Sequence, residues 1–139
     1  MTSPSPAPVV GVGTVVLKGD AVLLVRRAHP PRAGSWSLPG GKQQWGETTA
    51  EAALRELFEE TGIQAELLGV ADVVDLIDRD EAGAIRFHYT VIDYAARWLS
   101  GEPVAGDDAD AVIWATEDDF DRLGITPLAR QVIAKAREM

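Results

Sequence analysis

The first part of the chain alternates between apolar runs and turn residues. Val9 to Leu17 is apolar and rich in β-branched residues, a Gly-Asp pair follows, and Ala21 to Val25 is apolar again. Two such runs joined by a short turn predict a β-hairpin, which ends at Arg26 and Arg27. Residues 1–8, which precede it, contain three prolines and little that a core would bury, so we expect a disordered tail.

A helix is predicted in the middle of the chain, after a loop rich in proline and glycine with a short extended piece at Trp36 to Leu38. Thr48 and Glu51 have the spacing of a capping box, and Gly62 provides a stop signal, which puts the helix at Thr48 to Thr61. We expect this helix to pack an apolar side on the core and to present a carboxylate cluster on the other side. On a helical wheel the apolar side comprises Ala50, Ala53, Leu54, Leu57 and Phe58, and the carboxylates are Glu56, Glu59 and Glu60.

Three more extended segments and a closing helix follow. Ala65 to Ile77 and Arg86 to Tyr94 flank a polar turn, and Ala111 to Trp114 comes after a loop of Gly, Pro and Asp residues. Pro127 suits the first turn of a helix that runs towards the end of the chain. Strands on both sides of a central helix, followed by a last helix, predict an α/β domain with a mixed β-sheet. The length of 139 residues favours a single domain, which we assign to residues 9–139.

Charge and cysteine content narrow the range of functions. The chain has 13 Lys and Arg against 22 Asp and Glu, a formal net charge of −9, and such a surface repels the phosphate backbone of nucleic acids. It contains no cysteine, which excludes disulfides, thiolate metal sites and a cysteine nucleophile. No apolar run reaches the roughly 20 residues of a membrane span, and the N-terminus lacks the pattern of a signal peptide. We therefore expect a cytoplasmic protein with no nucleic-acid or membrane partner.

The three carboxylates of the central helix break two local rules. Neighbouring like charges destabilise a helix slightly, and Glu59 and Glu60 lie in the last turn, where the helix dipole favours cations. The cluster is either a solvated face or a cation site. Since cysteine is absent and no histidine is close in sequence, the ligands of such a site are oxygens, which suit Mg²⁺ or Mn²⁺. Arg55 lies four residues from both Glu51 and Glu59 and can pair with either.

Nine positions between Gly41 and Ile63 carry a family resemblance. They read G-x5-E-x7-R-E-U-x-E-E-x-G-U, where U is a bulky aliphatic residue, and they are Gly41, Glu47, Arg55, Glu56, Leu57, Glu59, Glu60, Gly62 and Ile63. This pattern is the Nudix box, and the chain resembles a Nudix hydrolase. The resemblance implies an α/β/α sandwich that hydrolyses a nucleoside diphosphate linked to another group, with Mg²⁺ or Mn²⁺ as the cofactor.

The resemblance also implies roles for individual residues. Arg55 orients the glutamates, and Gly40 and Gly41 let the loop turn tightly against the helix. A loop beyond the box often adds a metal ligand, for which Asp107 is the candidate, and an acidic turn is the alternative reading of that loop. The catalytic residues are then Glu56, Glu59 and Arg55, and the metal ligands are Glu56, Glu59, Glu60, Asp107 and the backbone carbonyl of Gly41.

Four residues near the box are candidates for substrate binding. Trp36 either stacks on a base or belongs to the core. Arg26 and Arg27 end a strand beside the glycine loop, where they either pair with phosphate or remain surface residues. Gly40, in the loop itself, is the fourth.

The resemblance leaves the substrate open. The W-S-L-P-G-G entry to the box and the P-V-A-G-D-D loop look most like bacterial ADP-ribose pyrophosphatases, so ADP-ribose or a related nucleotide sugar is the first expectation. The turn at residues 101–103 looks equally like MutT-type nucleoside triphosphate pyrophosphatases, which remove damaged nucleotides. A nucleotide-sensing module without catalysis is a third alternative, although such domains usually lose box acids that this chain keeps. Relatives are frequently homodimers, and a homodimer is expected by analogy.

Overall fold

The computed structural model describes residues 6–29, 32–106 and 108–139, and these ranges contain seven strands and three α-helices. In chain order the elements are β1 (Val9–Lys18), β2 (Ala21–Arg27), β3 (Trp36–Ser37), β4 (Gly40–Lys42), α1 (Thr49–Thr61), β5 (Gln64–Arg79), β6 (Ile85–Ser100), β7 (Ala109–Ala115), α2 (Phe120–Leu123) and α3 (Pro127–Arg137), with a 3₁₀ turn at Glu117–Asp119 before α2. Within these ranges no helix combines the length and apolar character that a membrane crossing requires.

All seven strands belong to one mixed sheet. β1 runs parallel to β6, from Val9 opposite Tyr89 to Leu17 opposite Arg97, and the other strand pairs are antiparallel. β2 pairs with β1 only next to their turn, whereas the first half of β1 pairs with β4. The loop predicted between the hairpin and the helix therefore contributes two short strands, β3 on β2 and β4 on β1.

The sheet has a helix on each face. Val15 of β1 belongs to a buried cluster with Val132 and Ile133 of α3. The next residue, Val16, belongs to a second buried cluster with Leu57 of α1. Successive residues of a strand point to opposite faces, so α1 and α3 cover opposite faces of the sheet. This arrangement confirms the predicted α/β fold with a mixed sheet between helices.

Local sequence signals predict the ends of most elements correctly, and the strands β5 and β6 are the main difference. The predicted strands at Ala65 to Ile77 and Arg86 to Tyr94 are longer in the structure, where each has 16 residues. The extension occurs because β6 pairs with β1 as far as Arg97 and with β5 as far as Ser100. The turn around Glu117–Asp119 and α2 were not predicted. Of the predicted tail, residues 6–8 are exposed and residues 1–5 lie outside the described ranges.

The predicted orientation of α1 is wrong in part. Leu54 and Phe58, expected in the core, are 39% and 55% exposed, whereas Ala52 is fully buried. Glu60, expected on the solvated side, is only 8% exposed. The helix is rotated relative to the prediction because β4 and the loop after β6 both pack against its acidic side, contacts that a helical wheel does not contain.

Candidate active site

The two ends of α1 are fixed by the signals that predict them. The Thr48 hydroxyl accepts a hydrogen bond from the Glu51 amide at 3.0 Å, and the Glu51 carboxylate accepts one from the Thr48 amide at 3.0 Å. At the other end Gly62 has a φ of 71°, a left-handed conformation that glycine adopts without strain, and its amide donates to the Phe58 carbonyl at 2.9 Å. Glu51 is thus occupied by the cap and does not pair with Arg55.

Arg55 joins the helix to the preceding loop. Its guanidinium forms a two-pronged contact with Glu47, from Nη2 to Oε1 at 2.6 Å and from Nε to Oε2 at 3.0 Å. Nη1 donates to Glu56 at 2.8 Å and to Glu59 at 3.2 Å, and Nη2 also donates to the Lys42 carbonyl at 3.0 Å. The hydrogen bonds with Glu47 raise the pKa of Arg55 further and lower the pKa of Glu47, so both stay charged.

Two consecutive glycines bring the backbone against two of the carboxylates. The Gly40 amide donates to Oε1 of Glu60 at 2.7 Å. At Gly41 a Cβ atom would lie 2.4 Å from Cδ of Glu56, and at Gly40 it would lie 2.1 Å from the Val12 carbonyl oxygen. A side chain at Gly40 would collide with the backbone of β1, and one at Gly41 would displace the Glu56 carboxylate, so both glycines provide space for this packing.

The carboxylates of Glu56 and Glu60 are poorly solvated. Burial raises the pKa of Glu60 to about 7, partly opposed by its hydrogen bond with the Gly40 amide, and the nearby charge of Glu56 adds to the increase. Burial also raises the pKa of Glu56, although its hydrogen bond with Arg55 lowers it in part. The side chain of Glu59 is 42% exposed and is the most accessible of the three. The cluster is therefore not a simple solvated face.

The loop after β6 packs on the C-terminal turn of α1. The Val104 amide donates to the Thr61 carbonyl at 2.9 Å, and the Gly106 amide donates to the Glu60 carbonyl at 3.0 Å. The charge of Asp108 raises the pKa of both Glu56 and Glu60, so this carboxylate lies within electrostatic reach of the cluster. Asp107, the predicted additional ligand, lies outside the described residues, and its role stays a prediction.

The donor set of the site fits a hard divalent cation. Glu56, Glu59 and Glu60 offer only carboxylate oxygens, and the first and last are partly deprived of water, so a cation would offset their desolvation. In the part of the chain that the structure describes, no three His, Cys, Asp or Glu side chains already converge on one point as metal ligands. The three glutamates and the Gly41 carbonyl therefore stay predicted ligands.

The predicted substrate-binding residues lie on both faces of the sheet. The positive charge of Arg27 lowers the pKa of Glu60, so Arg27 lies near the carboxylates. Arg26 forms an ion pair with Asp110 at 2.6 Å, and its guanidinium is 5.6 Å from the centre of the Trp36 ring. Trp36 is half-buried and packs against the cluster that contains residues of α3, on the face of the sheet opposite α1.

One polar residue of the sheet was missed. Asp93 of β6 is only 5% exposed, and burial, with a smaller effect from Asp72, raises its pKa to about 6. The single sequence signal for a buried carboxylate is its place among apolar and aromatic residues in a predicted strand. A carboxylate at an exposed position of that strand would give the same pattern. Its burial depends on pairing on both sides, by β1 and by β5, and on the absence of a side chain at Gly13.

Comparisons with known proteins agree with this geometry. The NUDIX domain family profile matches residues 7–136. The chain is 37% identical over 102 residues to the ADP-ribose pyrophosphatase of Methanocaldococcus jannaschii, a match that covers 73% of this chain and 58% of that protein. It is also 37% identical over 124 residues to a Mycobacterium tuberculosis protein named "Putative 8-oxo-dGTP diphosphatase 2", which covers 88% of this chain and 84% of that protein.

A solved structure supports the same family over nearly the whole chain. The crystal structure of a MutT NUDIX hydrolase from Burkholderia pseudomallei superposes with a TM-score of 0.80 at 34% sequence identity, over 94% of this chain and 98% of that one. Hydrolases of this family act on nucleotide substrates and generally use divalent metal ions. The box residues, the fold and these matches together establish that the chain belongs to the Nudix hydrolase family.

Proposed function

We propose that this chain hydrolyses the pyrophosphate bond of a nucleoside diphosphate linked to a second group, with ADP-ribose or a related nucleotide sugar as the substrate. The observation that carries the proposal is the Arg55 network, which holds Glu47, Glu56 and Glu59 against the loop of the two glycines. The similarity to an ADP-ribose pyrophosphatase supports this substrate class.

The residues that would hold Mg²⁺ or Mn²⁺ are Glu56, Glu59, Glu60 and Asp107, together with the Gly41 carbonyl. A divalent ion supplies the positive charge that lets a diphosphate approach these carboxylates, and it makes a water molecule more acidic. Glu59 is the best candidate to accept a proton from the attacking water, because it is the most exposed of the three glutamates. Arg55 keeps Glu56 and Glu59 in position, and Arg27, whose charge lowers the pKa of Glu60, is the predicted arginine that would contact a phosphate oxygen.

The metal ligands are tested by two conservative substitutions. Glu59→Gln and Glu60→Gln keep the size of the side chain and remove its charge, so we expect both variants to fold and to lose roughly 100-fold or more in metal-dependent turnover. Glu66→Gln is the matched control, since Glu66 is exposed on β5 and pairs with Arg97 at 3.0 Å. Unchanged rates for both site variants at saturating Mg²⁺ and Mn²⁺ would contradict the assignment.

A nucleoside triphosphate pyrophosphatase is the second candidate function. It is favoured by the Mycobacterium tuberculosis relative, whose match covers most of both chains. The products separate the two activities: ADP-ribose gives AMP and ribose 5-phosphate, whereas a triphosphate gives a nucleoside monophosphate and pyrophosphate. A panel of both substrate classes, assayed with each metal and analysed by mass spectrometry, decides between them. Binding without turnover of any nucleotide would instead favour a sensing module.

A homodimer stays a prediction by analogy, and a cytoplasmic location stays a prediction from the sequence. Light scattering of the purified full chain, across a tenfold range of concentration, measures the oligomeric state directly.

A further inference from the structure

β5 is the last strand on one side of the sheet. The strand order is β3-β2-β1-β6-β5, so β5 pairs with β6 on one side and, in the described residues, with no strand on the other. Apart from the Val73 amide, which donates to the Asp72 carboxylate at 2.9 Å, the described backbone of residues 65–78 bonds only to β6. An unpaired strand edge is a template for another strand, and proteins usually block it.

Part of this edge is regular. The pairing of β5 with β6 is irregular around Leu68, around Ala71 and at the end of the strand, and such bulges protect an edge. From Asp72 to Asp78, however, seven residues pair with β6 in unbroken register. This stretch is about 24 Å long, which is enough for a second strand to pair with it.

The exposed apolar side chains are concentrated around this edge. Among the described residues twelve large apolar side chains are exposed, and eight of them lie on β5, at the ends of β6 or on α1. They are Leu54, Phe58, Leu68, Val70, Val73, Ile77, Ile85 and Leu99. Val70 lies opposite Tyr94, whose hydroxyl is 2.7 Å from that of Thr49 at the start of α1. Val73 and Ile77 follow on the same face of the sheet, so these residues form an apolar surface beside α1, as is typical of a protein–protein contact.

The charges at this edge cancel. Three of the four acids on β5 have a basic partner in the same chain: Glu66 with Arg97 at 3.0 Å, Asp72 with Lys135 at 2.9 Å, and Asp78 with Arg86. The fourth, Asp75, is offset by Arg79 at the end of the strand. Because the chain as a whole carries −9, two copies repel each other, and a neutral edge lets them approach with little repulsion. A basic partner, by contrast, gains nothing from a neutral edge.

We propose that two copies of this chain associate through the edge of β5, antiparallel about a two-fold axis within the stretch from Asp72 to Asp78. A two-fold contact uses the same edge of both copies, so each apolar residue there is buried twice. β5 supplies 16 residues and the adjoining groove adds several, which approaches the roughly 20–30 residues a side of a standard interface. The inference does not depend on the proposed function, because none of the predicted catalytic residues takes part.

The antiparallel arrangement also gives the groove an occupant. The groove runs between α1 and the first residues of β5, and it is lined by Leu54, Phe58, Ile63, Gln64, Ala65 and Leu99. In an antiparallel pair the far end of one β5 points towards the start of the other. The exposed Ile85, which pairs with Arg79 at that far end, is therefore directed towards the groove of the second copy.

Sedimentation equilibrium tests the interface by comparing the dimer dissociation constants of the wild type, Val73→Lys and Trp45→Lys. Val73 is 55% exposed in the regular stretch, so a lysine there leaves the core intact and adds one positive charge from each copy. We expect the wild type to dimerise and Val73→Lys to associate roughly 10-fold more weakly or worse. Trp45→Lys is the matched control and should associate like the wild type. Trp45 is fully exposed and follows β4, which lies on the opposite side of β1 from β6 and β5.

Cysteine cross-linking locates the axis, because the chain contains no cysteine of its own. Val73→Cys, Asp75→Cys and Ile77→Cys are oxidised singly and in pairwise mixtures. A disulfide forms only where the two Cα atoms lie within about 7 Å. We expect a covalent dimer in at least one of these samples, and the positions that react give the two-fold axis. Trp45→Cys, oxidised alone, is expected to stay monomeric.

Three results would overturn the proposal: a wild type that is monomeric at every concentration, dimers that Val73→Lys leaves as tight as before, or no cross-link from any position on β5. A monomeric wild type would leave the apolar surface to a different partner. Circular dichroism shows whether each variant is folded. Cross-linking introduces no charge, so it decides the question even if the lysine variant does not fold.

Discussion

Two buried polar side chains of the sheet, Thr14 and Asp93, differ in what their burial costs. The hydroxyl of Thr14 on β1 is fully buried and has no hydrogen-bond partner, and it lies on the α1 face, one residue from Gly13 and the Asp93 face. A neutral hydroxyl costs far less to bury than a carboxylate. Thr14 is therefore tolerable as a packing residue, whereas burial of Asp93 disfavours the charged form of its carboxyl group.

Replacing Thr14 by valine removes the unpaired hydroxyl and keeps the shape of the side chain. We expect Thr14→Val to raise the free energy of unfolding by about 1 kcal/mol, because an unsatisfied polar group is lost and a methyl group takes its place. Thr61→Val is the matched control: the Thr61 hydroxyl donates to the Leu57 carbonyl at 2.6 Å and accepts from the Ile63 amide at 3.1 Å. That variant is expected to be less stable by about 1–3 kcal/mol. Urea unfolding measures both, and a destabilised Thr14→Val would show that the hydroxyl has a partner.

Asp93 also makes stability depend on pH. Its pKa is raised from 3.8 to about 6 in the folded chain, so the folded state holds a proton that the unfolded state releases. The protonated Asp93 contributes to the free energy of unfolding fully below pH 3.8. This contribution is lost as the pH rises through 6, and the loss is about 3 kcal/mol in total. We expect Asp93→Asn to match the wild type at low pH and to exceed it at pH 8, as measured by urea unfolding at several pH values.

The groups facing Asp93 fix the sign of that change. Asp72 repels it and stays paired with Lys135, so removing the charge at position 93 relieves repulsion and breaks no ion pair. Asp75→Asn, on the exposed side of β5, keeps Asp93, so its stability should depend on pH in the same way as that of the wild type. A difference between Asp93→Asn and the wild type that does not change with pH would mean that Asp93 stays ionised, or stays protonated, throughout.

At the scale of elements, the sequence predicts what is local and misses what depends on distant partners. The ends of α1 follow from Thr48, Glu51 and Gly62, which act within the helix itself. The face that α1 buries depends on β4 and on the loop after β6, and these reach the helix only in the folded chain. For the same reason the wheel put Leu54 inside and Glu60 outside, and both are reversed.

The candidate site shows the same division. The box spacing brings Arg55 and Glu59 together, because residues one turn apart on a helix are neighbours, and Glu56 directly follows Arg55 in the chain. The pairing of Arg55 with Glu47 spans eight residues and a loop, and only the family pattern connects the two positions in the sequence. Asp93 could not be recognised as buried, because its burial needs two neighbouring strands and a glycine 80 residues away.

At the scale of the whole molecule, the two cores share their strands. Three strands each contribute one residue to the α3 cluster and its neighbour in the chain to the α1 cluster. These pairs are Val15 and Val16 on β1, Leu24 and Leu23 on β2, and Ala95 and Ala96 on β6. Neither helix can lose its packing without disturbing strands that the other helix also needs. The described residues should therefore unfold as one cooperative unit, as the predicted single domain at 9–139 requires.

Tryptophan fluorescence can follow the two faces separately. Trp36 packs against the α3 cluster, and Trp98 and Trp114 pack against the α1 cluster, so Trp36→Phe leaves a signal dominated by the α1 side. We expect the guanidinium midpoints from fluorescence and from far-UV circular dichroism to coincide in the wild type and again in Trp36→Phe. Trp45→Phe is the control, because Trp45 is fully exposed and its loss should leave the midpoint unchanged. If fluorescence and circular dichroism separated within either protein, one face would be losing its packing while the other kept it, and strands shared between two cores would not be enough to make the molecule a single unit.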